Sequence, residues 1–118
     1  MERILVIGAN GQIGSELVEV LTAKHGADNV IAADIGPRSL YGAARYEVVD
    51  VLDSNRLAHI VESDCITQVY QLAALLSVTG EQAPLKAWTL NMNGLLNILE
   101  LARERGQAGK PLKVFWPS

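Results

Sequence analysis

The stretch Gly8-Ala9-Asn10-Gly11-Gln12-Ile13-Gly14 lies between a short apolar run and an amphipathic segment. The preceding residues, 3–7, are rich in β-branched side chains, which predicts a parallel strand buried on both faces. The following residues predict a helix over 13–25 whose apolar face carries Ile13, Leu17, Val20 and Leu21. Three glycines allow a tight turn and leave the first helical amides uncovered at the positive end of the helix dipole. We therefore predict that this turn binds a phosphate group.

A second predicted strand, residues 30–34, ends in an acidic residue. Asp34 comes twenty residues after Gly14. A carboxylate at this place can accept hydrogen bonds from both hydroxyls of an adenosine ribose, and it would repel a 2′-phosphate. The spacing therefore predicts a dinucleotide held by its pyrophosphate, and it favours NAD over NADP. Two alternatives stay open, because Asp34 can simply cap a strand end and Arg38 could accept a phosphate.

Strands and helices alternate along the rest of the chain. After a loop at 35–45, further strands are predicted at 46–51, 66–72 and 113–116. One helix follows a cap at Asp53 or Ser54, and another runs from Pro84 to about residue 105. This alternation predicts an α/β fold, a doubly wound parallel sheet of the Rossmann type. We expect five strands in the order 3-2-1-4-5 with helices on both faces, in one domain over residues 1–118.

Composition excludes several classes of protein. The chain is 49% hydrophobic and 19% charged with a net charge of −3, which favours a folded protein and gives no sign of nucleic-acid binding. The single cysteine, Cys65, cannot form an intrachain disulfide. No apolar run approaches the roughly 20 residues of a membrane span, and no charged leader precedes the first strand. We expect a soluble, cytoplasmic protein.

The helix predicted from residue 84 is apolar on two sides, and such a helix needs two partners. One stripe is assigned to the core: Leu85, Trp88, Met92, Leu95, Leu96, Leu99 and Ala102. The second lies nearly opposite: Ala87, Leu90, Gly94, Ile98 and Leu101. We assign this second stripe to a second subunit or to protein beyond the chain, and we expect a homodimer through the 84–105 helix.

Several motifs together resemble the extended short-chain dehydrogenase/reductase family across essentially the whole chain. The glycine spacing is G-x-x-G-x-x-G, and Asp50-Val51 follows the third strand. Residues 70–74 (Tyr-Gln-Leu-Ala-Ala) resemble the family's H-L-A-A segment, with Gln71 in the usual histidine place. Residues 91–100 resemble its N-V-x-G-T-x-N-L-L-E helix, with Leu95 at the threonine. The resemblance implies an NAD-dependent enzyme.

Within the family, three segments resemble the short-chain type of L-threonine 3-dehydrogenase: residues 72–81, 90–95 and 114–118. This resemblance implies oxidation of the L-threonine 3-hydroxyl, with hydride passing to C4 of the nicotinamide. The substrate would be a small molecule, an amino acid. Two other functions stay open: a sugar-nucleotide epimerase or dehydratase, and a non-catalytic NAD-binding module.

The resemblance also implies roles for individual residues. The pyrophosphate would lie on the glycine turn, the ribose on Asp34 and the adenine on Asp50 and Val51. Ser77 would face the substrate, although it is equally explained as an ordinary loop residue. The full set of implied cofactor residues is Gly8, Asn10, Gly11, Gln12, Ile13, Gly14, Asp34, Asp50, Val51, Leu72, Ala73, Ala74 and Asn91.

No catalytic residue is predicted within the chain. The family uses a Tyr-x-x-x-Lys pair as the proton acceptor, assisted by Ser or Thr. Tyr41, Tyr46 and Tyr70 are followed four residues later by arginine, aspartate and alanine. We expect the catalytic serine just after residue 118 and the pair some 25 residues further on. This chain would then be the cofactor-binding part of a longer enzyme, or alternatively only the ordered part of one, and we expect it to be inactive alone. No metal site is expected, because His25 and His59 have no partner at ligand spacing.

Overall fold

A computed structural model describes residues 2–37, 45–73 and 84–116. The strands in these ranges are β1 (Ile4–Ile7), β2 (Val30–Asp34), β3 (Arg45–Val48), β4 (Gln68–Gln71) and β5 (Lys113–Phe115). The α-helices are α1 (Gln12–His25), α2 (Ser54–Ser63) and α3 (Pro84–Gln107), and a short 3-10 helix spans Ala27–Asn29. None of the helices described combines the length and the apolar character needed to cross a bilayer.

The five strands form one parallel sheet in the order β3-β2-β1-β4-β5. β1 lies at the centre, where Ile4 pairs with Val30 on one side and Gln68 on the other. All four β1 side chains are buried, as expected for an apolar strand covered on both faces. The predicted fold class and strand order are confirmed.

Helices cover both faces of the sheet. Leu5 and Ile7 point to the face where α2 and α3 pack, in a core that includes Leu57 and Ile98. Ile4 and Val6 point to the opposite face, towards α1. This alternation follows from the two-residue period of the strand. Two apolar cores therefore hold β1 rigidly between helical layers.

The buried face of α1 differs from the prediction. Ile13 and Val20 are 70% and 62% exposed, whereas Gly14, Val18 and Leu21 are buried. The buried positions follow the i, i+4, i+7 spacing of a helix face. Gly14 decides the rotation of the helix, because the start of α1 lies directly against the backbone of the glycine turn. Ile13 consequently faces outward.

The prediction for the two apolar sides of α3 is wrong: the side assigned to a partner is the one that packs against the sheet. Gly94, Ile98 and Leu101 are buried against the sheet, whereas Leu85 and Leu96 are 77% and 52% exposed. Met92, Leu95, Leu99 and Ala102 are half-buried, and the side chains of Ala87, Trp88 and Leu90 lie outside the described residues. A helical projection finds both apolar sides but cannot say which one meets the sheet.

The third strand is also shorter than predicted. β3 ends at Val48, and the residues after it turn instead of continuing the strand. The Asp50 carboxylate accepts a hydrogen bond from the Leu52 amide at 2.9 Å, a local contact that competes with strand pairing. Asp53 then caps α2 by accepting from the Arg56 amide at 3.1 Å.

Candidate functional site

The carboxyl ends of the parallel strands meet at one edge of the sheet, where such folds bind their ligands. The β1–α1 turn, the end of β2, the turn after β3 and the end of β4 all lie there. Eleven predicted cofactor residues belong to these segments: Gly8, Asn10, Gly11, Gln12, Ile13, Gly14, Asp34, Asp50, Val51, Leu72 and Ala73. Asn91 lies on α3 and is half-buried, while Ala74 and Ser77 fall outside the described residues. Their contacts with a cofactor remain predictions.

Two of the three glycines are required by the chain itself. Gly8 has φ +87°, and a Cβ there would lie 2.6 Å from the Ala73 nitrogen. A Cβ on Gly14 would overlap the Gly8 carbonyl oxygen. Gly11 differs, because its Cβ would meet that same oxygen at an ordinary 3.5 Å. As far as residues 2–37, 45–73 and 84–116 are concerned, the space beside Gly11 is therefore open to a ligand that approaches the backbone closely.

The start of α1 presents several backbone amides at this space. The Gly11 amide donates to the Gly8 carbonyl at 3.2 Å, and the Ser15 amide makes the first helical bond, to Gly11, at 2.9 Å. Among the described residues, the intervening amides of 12–14 have no backbone acceptor, and Gly11 provides no side-chain cap. The first turn also contains no acidic side chain. These amides and the helix dipole suit an anion such as a pyrophosphate.

The end of β2 holds the glycine turn in place. The Gly8 and Ala9 amides both donate to the Ala33 carbonyl, at 2.8 and 3.0 Å. The Asn10 amide donates to Oδ2 of Asp34 at 2.9 Å, and the Ile35 amide donates to its Oδ1 at 2.7 Å. Each carboxylate oxygen keeps a further lone pair for an incoming hydroxyl. Asp34 is thus oriented by two amides and is suited to accept both hydroxyls of a ribose.

Tyr46 belongs to the same site, and the sequence interpretation missed it. Its hydroxyl accepts a hydrogen bond from Nδ2 of Asn10 at 3.1 Å and donates to the Gly36 carbonyl. The Asn10 side chain also donates to the Pro37 carbonyl at 3.0 Å. Burial raises the Tyr46 pKa, the Asn10 hydrogen bond opposes that rise, and the nearby Asp34 charge adds to it. Tyr46 therefore remains an O–H donor at neutral pH.

α3 packs against the segment that follows β3. Nδ2 of Asn97 donates to the Val51 carbonyl at 3.1 Å. A Cβ on Gly94 would lie 2.9 Å from a Val51 methyl, so only glycine lets α3 pack this closely without displacing it. Gln71 is 4% exposed beside them, and its Nε2 donates to the Ala73 carbonyl at 3.3 Å. The contacts of Asn97 and Gly94 fix Val51, one of the two residues predicted to meet the adenine.

A polar cleft of about 340 Å³ lies elsewhere, between β3 and α2. Arg45 makes a bidentate ion pair with Asp64 at 2.6 and 2.7 Å, and Arg56 pairs with Glu47 at 2.9 Å. The hydrogen bonds from Arg45 lower the Asp64 pKa, and the same bonds raise the pKa of Arg45. Because its charges pair with one another, we interpret this cleft as an ion-pair network. Within the described ranges, no three His, Cys, Asp or Glu residues are grouped to hold a metal ion.

Comparisons with known proteins agree with the parallel sheet and the glycine turn described above. Residues 4–116 match the model of the NAD dependent epimerase/dehydratase family. The chain is 44% identical to an uncharacterized epimerase/dehydratase of Staphylococcus epidermidis, over 100% of this chain and 36% of that protein. It superposes on a GalE-like L-threonine dehydrogenase from Cupriavidus necator, in its holo form, with a TM-score of 0.88 and 51% identity, over 98% of this chain and 36% of that one.

A more distant similarity is to UDP-glucose 4-epimerase of Thermus thermophilus in complex with NAD. Here the TM-score is 0.75 and the identity 31%, over 88% of this chain and 34% of that one. The chain thus spans about a third of the length of each protein compared. With its parallel sheet, its glycine turn and a family match over nearly all its residues, the chain belongs to the NAD-dependent epimerase/dehydratase family.

Proposed function

We propose that this chain is the NAD-binding part of an L-threonine 3-dehydrogenase, which oxidises the 3-hydroxyl of L-threonine to give 2-amino-3-oxobutanoate. The observation that carries the cofactor assignment is the Asp34 carboxylate, which two amides hold beside the amides of residues 12–14. The described part of the chain provides no backbone acceptor for those three amides. The substrate assignment is supported by the 51% identity to the Cupriavidus necator enzyme over almost the whole chain.

The described residues suit the adenosine and pyrophosphate parts of NAD. The amides of 12–14 bind the pyrophosphate, Asp34 accepts the ribose hydroxyls, and Val51 packs beside the adenine. Leu72 and Ala73 follow β4 and line the other half of the cofactor. When bound, NAD supplies a hydride acceptor for alcohol oxidation. The part of the reaction that falls to this chain is therefore to bind and orient, since residues 2–37, 45–73 and 84–116 contain no Tyr-x-x-x-Lys pair.

A change at Asp34 tests the cofactor assignment. Asp34→Ala removes charge-assisted hydrogen bonds worth about 1.5–3 kcal/mol, so the Kd for NAD should rise by about one to two orders of magnitude. Loss of the carboxylate also removes repulsion against a 2′-phosphate, so NADP binding should weaken less or improve. Calorimetric titration with both cofactors separates this result from a general fold defect, which would weaken both. Unchanged NAD affinity would contradict the placement of Asp34.

The substrate is tested by following NADH absorbance with the whole protein. We expect NADH formation with L-threonine. L-serine, which lacks the methyl group, should give less NADH or none at the same concentration. The competing function, favoured by the 31% identity to a UDP-glucose epimerase, predicts turnover of UDP-sugars without L-threonine-dependent NADH. NAD binding without either activity would support a non-catalytic binding module.

We also propose that a second copy of the protein packs on the exposed side of α3. Leu85 and Leu96 are both exposed and lie eleven residues apart, about three helical turns, which places them on one side of the helix. The interface thus uses the side opposite to the one predicted from sequence. Leu85→Asp with Leu96→Asp should give a monomer by light scattering, whereas Val20→Asp on α1 should not change the mass. A monomeric unsubstituted protein would refute the proposal.

A further inference from the structure

Tyr46 and Asn10 connect three segments that are distant in sequence. Asn10 lies in the glycine turn, Gly36 and Pro37 lie in the loop after β2, and Tyr46 lies on β3. Nδ2 of Asn10 reaches the Tyr46 hydroxyl at 3.1 Å and the Pro37 carbonyl at 3.0 Å, and the Tyr46 hydroxyl donates in turn to Gly36. The result is a continuous chain of hydrogen bonds from the glycine turn to the loop after β2.

Asp34 lies between the two segments that this chain of hydrogen bonds joins. One of its carboxylate oxygens is held by the Asn10 amide and the other by the Ile35 amide. If either segment moves, one of these amides moves with it and the carboxylate can rotate. The link through Tyr46 joins the two segments that carry these amides.

We propose that Tyr46 is a positioning residue for the cofactor, acting through Asp34: its hydroxyl locks the glycine turn to the loop after β2, so that both carboxylate oxygens face the ribose hydroxyls. The inference rests on the proposed NAD site. It assigns to β3 a part in cofactor binding, although Tyr46 itself need not touch the ligand. A tyrosine hydroxyl, with an ordinary pKa of about 10, is protonated at neutral pH, and burial raises the Tyr46 pKa further, so the link persists there.

The register of the sheet explains why this tyrosine is well placed. Tyr46 pairs with Ala32, two residues before Asp34, so both side chains project to the same face of neighbouring strands. Its ring is packed against the core on the α1 side, which restricts its rotamers. A ring fixed in this way holds its hydroxyl at one position, where the glycine turn and the loop after β2 both form hydrogen bonds with it.

The test is a double-mutant cycle measured as the Kd for NAD by calorimetry. Tyr46→Phe removes the hydroxyl and keeps the ring, and it should raise the Kd by about three- to tenfold, the effect of one hydrogen bond. In the Asp34→Ala background the same change should alter the Kd by less than about twofold, because the group through which Tyr46 acts is gone. Tyr70→Phe is the matched control: it is a half-buried tyrosine on the same face, stacked on Phe115 at 4.7 Å, and it should leave the Kd unchanged.

The outcomes separate the inference from the proposed function. If the unsubstituted protein does not bind NAD, the proposed function fails. If it binds NAD but Tyr46→Phe has no effect, or has the same fold-effect with and without Asp34, the inference is refuted. Should Tyr46→Phe not fold, as judged by circular dichroism, Asn10→Ala replaces it in the cycle, because this variant cuts the same link yet keeps the amide that holds Asp34. Equal effects of Asn10→Ala in both backgrounds would refute the inference in that case.

Discussion

Replacing Gly11 by alanine should separate cofactor binding from folding. At Gly11 the backbone has φ −71° and ψ 168°, which alanine adopts without strain, and the new methyl would meet the Gly8 carbonyl at 3.5 Å. The reduced freedom of the unfolded chain stabilises such a variant by about 0.4–1 kcal/mol. The poorer helix cap that alanine makes offsets about the same amount. The free energy of unfolding should therefore stay within about 0.5 kcal/mol of the unsubstituted protein.

Binding should respond very differently. The methyl group would occupy the open space over the amides of residues 12–14, where we place the pyrophosphate. Displacing an anion from hydrogen bonds of this kind costs about 1.5–3 kcal/mol, so the Kd for NAD should rise about 10- to 150-fold. Urea unfolding followed by circular dichroism gives the stability, and calorimetric titration gives the Kd.

Gly14→Ala is the matched contrast in the same turn. Its methyl would overlap the Gly8 carbonyl and lie 2.9 Å from the Ala9 Cα, and both contacts are with backbone that cannot rotate away. Overpacking of this kind destabilises by about 1–3 kcal/mol. We therefore expect Gly14→Ala to lose stability and Gly11→Ala to lose binding. If Gly11→Ala bound NAD normally, or if Gly14→Ala were as stable as the unsubstituted protein, the description of this turn would be wrong.

Three further changes test the surroundings of the site. Gly94→Ala should destabilise by about 1–3 kcal/mol in urea because its methyl would collide with Val51. Gly106→Ala on the same helix should gain about 0.5–1 kcal/mol, because no atom of the described residues lies within 4 Å of its added Cβ. Equal effects of the two changes would contradict the close packing of α3. Cys65, just after α2, has φ +53°, a conformation that glycine adopts more easily than other residues. Cys65→Gly should therefore increase the free energy of unfolding by about 0.5–1 kcal/mol and raise the melting temperature, whereas Cys65→Ala should do neither. The pKa of Asp64 is lowered in the folded protein. Its contribution to the free energy of unfolding is therefore present above about pH 4 and is lost as the pH falls through the folded pKa. Asp64→Asn should make the free energy of unfolding depend less steeply on pH on the acid side, and an unchanged dependence would show that the ion pair does not stabilise the fold.

Local patterns were sufficient to predict the sheet. The apolar run of β1, the glycine turn and the offset to Asp34 each depend on residues close in sequence, and the strand order follows from rules for parallel connections. The predicted ends of β3 were wrong because Asp50 makes a local hydrogen bond that ends the strand early. That contact uses a side chain whose conformation a hydrophobicity pattern does not describe.

Contacts between distant segments could not be predicted in the same way. Both sides of α3 are apolar, and the orientation of the helix is decided by the close approach of Gly94 to Val51, forty-three residues away in the sequence. Val20 looked like a core residue by spacing alone, but the contact of Gly14 with the glycine turn rotates α1 and exposes it. Tyr46 was missed because its role depends on two loops meeting at one hydroxyl.

The two hydrogen bonds that the Ala33 carbonyl accepts from Gly8 and Ala9 have a consequence for the energetics of binding. They set the shape of the turn from within the fold, so the site is preorganised and a dinucleotide need not order this backbone on arrival. Association should therefore be a simple bimolecular step, with a rate proportional to cofactor concentration and no slow isomerisation phase. The affinity of the turn for a dinucleotide would thus depend on the end of β2, the strand next to β1, as well as on the helix where we place the phosphates.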